Sequence, residues 1–287
     1  MKKRVVFTDP ELNSEFQSKG FVVLKNQFSA QQIEEAFRAI KLQSPIEHNM
    51  LKGWQSNIVT VPYYSTFLEE SHISKKVVLD VLMNVFEHFL NTHLLNYKII
   101  QANIFNKPIN TGFVCPHQNL TTVDESIFTS VSIWTPLQNT DIVNGALHLT
   151  KGSHKKFEKY RNANIRWSPL KASRKIEDYL MEPIEMCTGD VLIFDDSIVH
   201  GSPDNKSKTN RIVFHSIAIP KEANAIYCKP CKDSIEIIQV SDTFWQYFKP
   251  GDKEPEEPII KKDLFIEKVY TIESIKQEIE NSTTLYD

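Results

Sequence analysis

Residues 189–203 read GDVLIFDDSIVHGSP, and this stretch sets the first expectation for the fold. A glycine turn is followed by an apolar run from Val191 to Phe194, which is typical of a buried strand. His200 follows this run and precedes Gly201, so the strand brings a histidine to a place from which it can reach a cavity. His200 is therefore a candidate metal ligand.

A second histidine lies upstream, in the sequence CPHQN at residues 115–119. Side chains at positions i and i+2 of a strand point to the same face, so His117 and Asn119 can converge on one point. Two histidines and a short polar residue form the skeleton of a facial metal site, whose third ligand is ordinarily a carboxylate. The pattern predicts a metal at His117, Asn119 and His200, with an amide in the carboxylate position.

An arginine opens the next apolar run, because Arg211 directly precedes Ile212-Val213-Phe214. A guanidinium is costly to bury unless an anion meets it. The carboxylate of a ligand could do so through two parallel hydrogen bonds. A buried Asp or Glu of the chain itself is the alternative partner.

Size and composition are those of a folded globular protein. The chain has 287 residues, 41% of them hydrophobic, and a net charge of −3, which argues against a general nucleic-acid binder. The basic N-terminus is followed by a short apolar run that ends at Thr8, and no run approaches the ~18 apolar residues of a membrane span. We expect a cytoplasmic protein that acts on a small molecule, with no nucleic-acid or membrane partner.

The four cysteines are too sparse for a disulfide scaffold. Cys228 and Cys231 form a single CxxC pair. A structural zinc site needs a second pair, and Cys115 and Cys187 do not form one by spacing. Ordinary thiols at the surface or in the core are the expectation.

Helical patterns precede strand patterns along the chain. Ser29 is predicted to cap one helix, and Ser71 or Ser74 to begin a longer one that ends near Leu95. Short β-prone runs follow at 99–106, 127–134, 145–149, 184–187, 190–195, 211–219 and 235–240. Between them lies a charged insert at about 155–180, and a short helix is predicted at 272–280.

This order predicts a mainly β fold with flanking helices, built as an antiparallel sandwich or barrel. One domain is expected, with a helix-rich N-terminal part at about 1–96, a β core at about 97–240 and a C-terminal extension at about 241–287. The aromatic segment 44–71 is interpreted as either a packed loop or a lid over a pocket. Long loops around a rigid core usually set specificity, so 44–71 and 155–180 are expected to do so.

Further motifs occur in a fixed order. They are KGFVVLKN (19–26), HQN (117–119), VDE (123–125), SVSIWTPL (130–137), NGALHL (144–149), KGSHK (151–155), GDV (189–191), then His200 and Arg211. In this order and spacing, the chain resembles the phytanoyl-CoA dioxygenase family of iron- and 2-oxoglutarate-dependent oxygenases. KGSHK is the most specific motif, and its His154 is expected to stabilise a turn rather than bind a ligand.

The resemblance implies a double-stranded β-helix, the cupin-like jelly-roll core. It also implies Fe(II) held by two histidines and a carboxylate, with open positions for 2-oxoglutarate and O2. Decarboxylation of 2-oxoglutarate to succinate then accompanies oxidation of a C–H bond of a small molecule. The corresponding residues are His117 and His200 as metal ligands, Arg211 and Ser202 on the distal carboxylate of 2-oxoglutarate, and Gln101 and Trp134 as pocket wall near the cofactor.

Asn119 departs from the family pattern. Its amide is neutral and a poorer ligand for a hard divalent ion than a carboxylate. Iron could be held by the histidines with water or halide, as in related halogenases, although those have a smaller residue there. Alternatively, the reaction has been lost, or the amide is an introduced Asp→Asn change. Four acids could substitute as ligands but are expected at the surface or as caps: Asp124, Glu125, Asp195 and Asp196.

These residues are compatible with three functions. The leading hypothesis is an Fe(II)- and 2-oxoglutarate-dependent oxygenase that hydroxylates or otherwise oxidises a small molecule. The second is a catalytically silent jelly roll that binds a ligand or a partner protein. The third is a metal enzyme that works outside the oxygenase cycle, such as an isomerase or lyase.

Overall fold

The computed structural model describes residues 4–44, 54–55, 60–154, 156–157, 159–162, 180–265 and 270–280. Their helices are α1 (Pro10–Lys19), α2 (Ala30–Gln43), α3 (His72–His93), α4 (Phe244–Tyr247) and α5 (Ile272–Glu280), with a 3-10 helix at Thr66–Leu68. Their strands are β1 (Phe21–Leu24), β2 (Trp54–Gln55), β3 (Thr60–Val61), β4 (Tyr64–Ser65), β5 (Tyr97–Lys107), β6 (Val114–His117), β7 (Val131–Pro136), β8 (Leu147–Leu149), β9 (Glu182–Ile184), β10 (Val191–Asp195), β11 (His200–Ser202), β12 (Arg211–Pro220), β13 (Ile226–Pro230), β14 (Ser234–Gln239) and β15 (Ile259–Leu264).

Two antiparallel sheets form the core. The larger has six strands in the order β1-β10-β7-β12-β5-β4, and the smaller has four in the order β6-β11-β8-β9. Apolar side chains from both sheets pack between them, among them Trp134, Val213 and Leu149. The interleaved strand order and the shared interior are those of the predicted jelly roll.

Helices α2 and α3 cover the outer face of the larger sheet. α2 begins at Ser29 in a complete capping box with Gln32, and α3 begins at Ser71, so both predicted starts are confirmed. Ile33 of α2 and Val78 of α3 are buried in the cluster that joins these helices to the sheet. None of the described helices has the length and apolar character needed to cross a membrane.

Two predicted strands are displaced. β7 begins at Val131 instead of 127, because residues after Asp124 form a turn in which Ile127 and Phe128 donate backbone hydrogen bonds to its carbonyl oxygen. β9 ends at Ile184, because Met186 forms an isolated bridge with Thr140. The alternation of apolar and polar side chains, from which the strands were predicted, shows neither the turn after Asp124 nor the bridge at Met186.

Parts of the predicted loops lie outside the described residues. These are 45–53 and 56–59 of the segment 44–71, and most of the insert 155–180. The cysteines are free thiols, with Cys228 buried in β13 and Cys231 half-buried after it. Among the described residues, no three His, Cys, Asp or Glu side chains are arranged to hold a metal ion.

The C-terminal extension closes one end of the jelly roll through a buried lysine. Lys75 of α3 donates hydrogen bonds to the carbonyl oxygens of Phe67 (3.0 Å), Tyr247 (3.0 Å) and Phe248 (3.2 Å). Its ammonium thus caps the end of α4 and ties that helix to the 3-10 helix. Gln246 adds to this attachment by donating to the Lys75 carbonyl oxygen.

Lys75→Met is expected to lower the free energy of unfolding by about 2–4 kcal/mol, because three buried carbonyl groups lose a charged donor. Urea denaturation of the two proteins measures the difference. Lys76→Met is the matched control: Lys76 is exposed and, among the described residues, pairs with Asp80, so its loss is expected to leave the urea midpoint close to that of the wild type. Equal effects of the two substitutions would contradict the assigned role of Lys75.

Candidate active site

A cavity of about 320 Å3 lies between the two sheets. Every site residue predicted from the sequence lines it: Gln101, His117, Asn119, Trp134, His200, Ser202 and Arg211. The strands that carry them come from both sheets. The sandwich itself, more than any loop, therefore assembles the site.

The two histidines lie side by side on neighbouring strands. His200 of β11 is paired in register with His117 of β6, and their ring centroids are 4.3 Å apart. Nδ1 of His117 lies 2.8 Å from the Cys115 carbonyl oxygen, and Nδ1 of His200 lies 3.0 Å from that of Ile198. A carbonyl oxygen only accepts, so each Nδ1 carries the proton and each Nε2 keeps a lone pair.

Burial keeps both rings neutral. It lowers the pKa of His117, and it lowers the pKa of His200 well below its usual range, with the adjacent His117 adding to the effect. Neutral imidazole is the form that binds a metal. At neutral pH the pair therefore offers two nitrogen ligands without first losing a proton.

Asn119 lies beyond the last paired residue of β6, and neighbouring groups hold it in place. Its backbone N–H donates to the Asp196 carbonyl oxygen (2.9 Å), and its own carbonyl oxygen accepts from Arg161 Nε (2.6 Å). Its side-chain Nδ2 lies 2.8 Å from Ser132 Oγ and 2.8 Å from Asp196 Oδ1. Both amide hydrogens are thus directed away from the cavity.

The expectation that the nearby acids lie at the surface or act as caps is wrong for Asp196. It is fully buried instead of lying at the surface or capping a turn, and burial raises the pKa of Asp196 to about 6. The other three acids have structural roles: Asp195 accepts from Ser197, Asp124 accepts from Ser126, and Glu125 pairs with Arg161. Among them, only Asp196 contacts a predicted metal ligand.

Arg211 is buried at the end of the cavity, with 3% of its surface exposed. Its Nη2 donates to the Gly145 carbonyl oxygen (3.0 Å), its guanidinium lies 5.6 Å from the Trp134 ring centroid, and its Nε contacts no acceptor. In the described part of the chain no carboxylate pairs with it, so the alternative of an internal acid partner is wrong for these residues. Burial lowers the pKa of Arg211 to about 9, which marks an environment that favours a bound anion.

A second cation lies beside Arg211. Lys107 of β5 is paired in register with Arg211 and also lines the cavity. Its Nζ donates to the carbonyl oxygens of Ser202 (3.1 Å) and Pro203. Ser202 lies on this side of the cavity, since its carbonyl oxygen accepts from Lys107. This end is therefore positively charged.

Gln101 lines the cavity as predicted, but it does not lie with Arg211. It is six residues from Lys107 along β5, which corresponds to about 20 Å of strand. Its Nε2 donates to the Trp245 carbonyl oxygen (2.8 Å), so the amide anchors the C-terminal extension. Gln101 is thus part of the cavity wall, at some distance from Arg211.

His215 is a site residue that the sequence reading missed. It lies on β12 four residues after Arg211, is buried, and lines the cavity. Its Nε2 lies 2.9 Å from Ser132 Oγ. Alternate residues of a strand share a face, so the position of Arg211 could have indicated His215.

The end away from Arg211 is mainly apolar. It is lined by Phe67, Leu68, Leu120, Ile217, Trp245 and Pro250, with Thr122 among the polar exceptions. In the described part of the lining, the ionised side chains are Lys107 and Arg211, both at the opposite end. His154 lies outside the cavity and contacts the Gln17 carbonyl oxygen (3.0 Å), a structural role like the one expected.

Comparisons with known proteins give a family and a fold. A family model described as phytanoyl-CoA dioxygenase (PhyH) matches residues 16–213. No curated protein matches the chain.

Solved structures with the same fold have low sequence identity. The carbocyclase SnoK from nogalamycin biosynthesis, described as non-heme and alpha ketoglutarate dependent, has a TM-score of 0.55 and 15% identity, covering 87% of this chain and 94% of its own. The epimerase SnoN, in complex with Fe3+, alpha ketoglutarate and nogalamycin RO, has a TM-score of 0.53 and 15% identity, covering 75% and 84%. EctD from S. alaskensis has a TM-score of 0.52 and 17% identity, covering 76% and 79%. At these identities the similarity establishes the fold.

Proposed function

The chain belongs to the phytanoyl-CoA dioxygenase family, and from this premise we propose that it is an Fe(II)- and 2-oxoglutarate-dependent oxygenase. Its substrate would be a neutral, largely apolar small molecule. The proposal is based on two features that occur in the same cavity. Two histidines present free Nε2 atoms, and a buried arginine has no carboxylate partner among the described residues.

The donor set fits a divalent metal. His117 and His200 provide imidazole nitrogens, and Asn119 provides an amide oxygen, since its nitrogen is turned away. Imidazole is a suitable ligand for iron, and an amide oxygen is an acceptable though weaker one for a hard ion. The residues would hold the ion on one side only and leave its other side open to the cavity.

The charged end fits the distal carboxylate of 2-oxoglutarate. Arg211 Nε and Nη2 lie on one edge of the guanidinium, and Nε is unoccupied, so a carboxylate can complete its hydrogen bonding. Trp134 supports the face of the guanidinium, and Lys107 adds positive charge. Ser202, on the same side, would assist this carboxylate through its hydroxyl.

When bound, iron and 2-oxoglutarate would supply the oxidising chemistry, with succinate and CO2 as coproducts. The protein's part is to position the reactants and exclude water. His117 and His200 fix the metal on one wall, and Arg211 fixes the cosubstrate at one end. The apolar end, closed by Trp245, would orient the substrate carbon toward the metal.

The type of oxidation is left open by the relatives. SnoN is an epimerase and SnoK a carbocyclase, and each is described as alpha ketoglutarate dependent or was solved with alpha ketoglutarate. Hydroxylation, cyclisation and epimerisation all fit a site of this design. The substrate chemistry follows instead from the lining, in which the described residues away from Arg211 carry no ionised group.

Succinate formation tests the proposal. The protein is incubated with Fe(II), 2-oxoglutarate and O2, and with sets of neutral apolar, cationic and anionic small molecules. We expect succinate to form faster with a neutral apolar compound than with either charged set. Failure to form succinate under any condition, together with failure to bind a divalent metal, would favour the catalytically silent alternative.

Cosubstrate binding is expected to stabilise the fold. With Co(II) in place of iron, so that no turnover occurs, 2-oxoglutarate at about 100 times its Kd should add about 2.7 kcal/mol of stability. For a chain of this size, the melting temperature should rise by roughly 4–5 °C. Succinate, which lacks the keto oxygen, is the matched control and is expected to give a smaller shift. Equal shifts would contradict chelation by the keto acid.

A further inference from the structure

Asp196 lies directly behind Asn119 and does not line the cavity. Its Oδ1 accepts from Asn119 Nδ2 at 2.8 Å and from Ser132 Oγ at 2.6 Å. The carboxylate is fully buried and belongs to the residue next to Asp195, which is turned to Ser197 instead. A buried carboxylate in contact with the amide that occupies the carboxylate position of a metal site requires an explanation.

The hydrogen bonds fix which amide atom faces the cavity. An ionised carboxylate only accepts hydrogen bonds, so the Asn119 atom facing Asp196 must be the NH2 nitrogen. Its two hydrogens go to Asp196 and Ser132. The amide oxygen is left on the other side, and it makes no hydrogen bond within the described part of the chain.

Ser132 completes the network. Its hydroxyl has one hydrogen and two lone pairs. It donates to Asp196 Oδ1 and accepts from Asn119 Nδ2, which leaves one lone pair for a proton on His215 Nε2, 2.9 Å away. Every bonding position of the hydroxyl is used, so the amide cannot rotate without breaking several hydrogen bonds.

From this arrangement we propose that Asp196 supplies the negative charge that the third metal ligand lacks, and that it does so through Asn119. Asp196 is a positioning residue: it holds the amide with its oxygen toward His117 and His200. Hydrogen bonding of the NH2 group to an anion also shifts electron density onto the amide oxygen, which makes it a better ligand for a hard cation. The site thus keeps the negative charge that a carboxylate ligand would supply. The charge lies on Asp196, which contacts the ligand Asn119, instead of on the ligand itself.

The inference rests on the proposed function and predicts coupling between positions 119 and 196. Metal affinity is measured with Co(II) alone, from its visible absorption, so the readout does not depend on turnover. Asp196→Asn preserves volume and removes the charge, and we expect a 10–100-fold loss of Co(II) affinity, the range found when a partner of a metal ligand is lost. Asp195→Asn removes the same charge one residue earlier and keeps an acceptor for Ser197; we expect less than a threefold change.

The exchanged variant Asn119→Asp with Asp196→Asn tests the same idea without loss of net charge. It places the carboxylate on the metal and the amide behind it, and we expect Co(II) affinity at least equal to that of the wild type. Asn119→Asp alone sets two carboxylates against each other, so its gain should be smaller than the gain from the same change in the Asp196→Asn background.

Three outcomes would overturn the inference. They are wild-type affinity in Asp196→Asn, an equal effect of Asn119→Asp in both backgrounds, and a loss of tenfold or more in the exchanged variant. If the wild type binds Co(II) and forms succinate in those cases, the proposed function stands and only the inference fails. If the wild type does not bind Co(II), both are overturned.

Discussion

His200→Ala is expected to abolish metal binding at micromolar concentrations and, with it, the formation of succinate. The ring is buried, its Nδ1 donates to the Ile198 carbonyl oxygen, and its centroid lies 4.3 Å from that of the His117 ring. Loss of a direct ligand should cost more than the 10–100-fold loss caused by removing a supporting partner, so we expect at least about 10³ in affinity. Co(II) absorption and isothermal titration both measure it.

His148→Ala is the matched control for this variant. His148 lies on β8, on the strand next to His200, where it is paired in register with Gly201. It does not line the cavity. Its replacement should leave Co(II) affinity within about threefold of the wild type, because a ligand effect requires contact with the metal. Comparable losses in the two variants would show that the effect of His200 comes from the fold.

The same histidines set a pH dependence. Protons compete with the metal for Nε2, and burial lowers the pKa of both rings below the usual value of about 6.5. The rings are therefore already neutral at pH 7, so affinity should be nearly constant above it. It should fall as the solution becomes acidic enough to protonate the buried pair.

Much of the fold could be predicted from the sequence, because its signals are local. Ser29 and Ser71 begin helices as their capping patterns predict, and the apolar run after Gly189 is a buried strand. Gly189 adopts a φ of +88°, a backbone conformation that glycine adopts readily and other residues rarely do. Such features depend on residues that are close together along the chain, so a single sequence is enough to predict them.

The site was predicted less completely, because its connections are long-range. Asp196 is 77 residues from Asn119, and nothing in the sequence indicates that the two side chains meet. The residue patterns also do not show how far Gln101 lies from Arg211, whereas strand register places Gln101 six residues along β5 from Lys107, the partner of Arg211. Register depends on pairing between distant segments, which residue patterns along one strand do not specify.

Arg211→Met is expected to remove 2-oxoglutarate binding while leaving the fold intact. The methionine keeps much of the apolar stem but cannot form the charged hydrogen bonds to a carboxylate. Truncating one member of a buried, hydrogen-bonded charge pair costs about 2–5 kcal/mol, which corresponds to roughly a 30- to several-thousand-fold loss of affinity. Titration of the Co(II)-loaded protein with 2-oxoglutarate measures the loss.

The stability of the ligand-free variant separates this role from a structural one. Arg211 has no carboxylate partner among the described residues, and burial alone lowers its pKa. Replacing an uncompensated buried charge with an apolar side chain should leave the urea midpoint unchanged or raise it. If the arginine were structural, its replacement would lower the urea midpoint.

Arg211→Lys keeps the charge without the planar fork and should bind 2-oxoglutarate with intermediate affinity. A large loss of stability in Arg211→Met, with 2-oxoglutarate affinity preserved, would contradict the assignment of the charged end of the cavity to the cosubstrate.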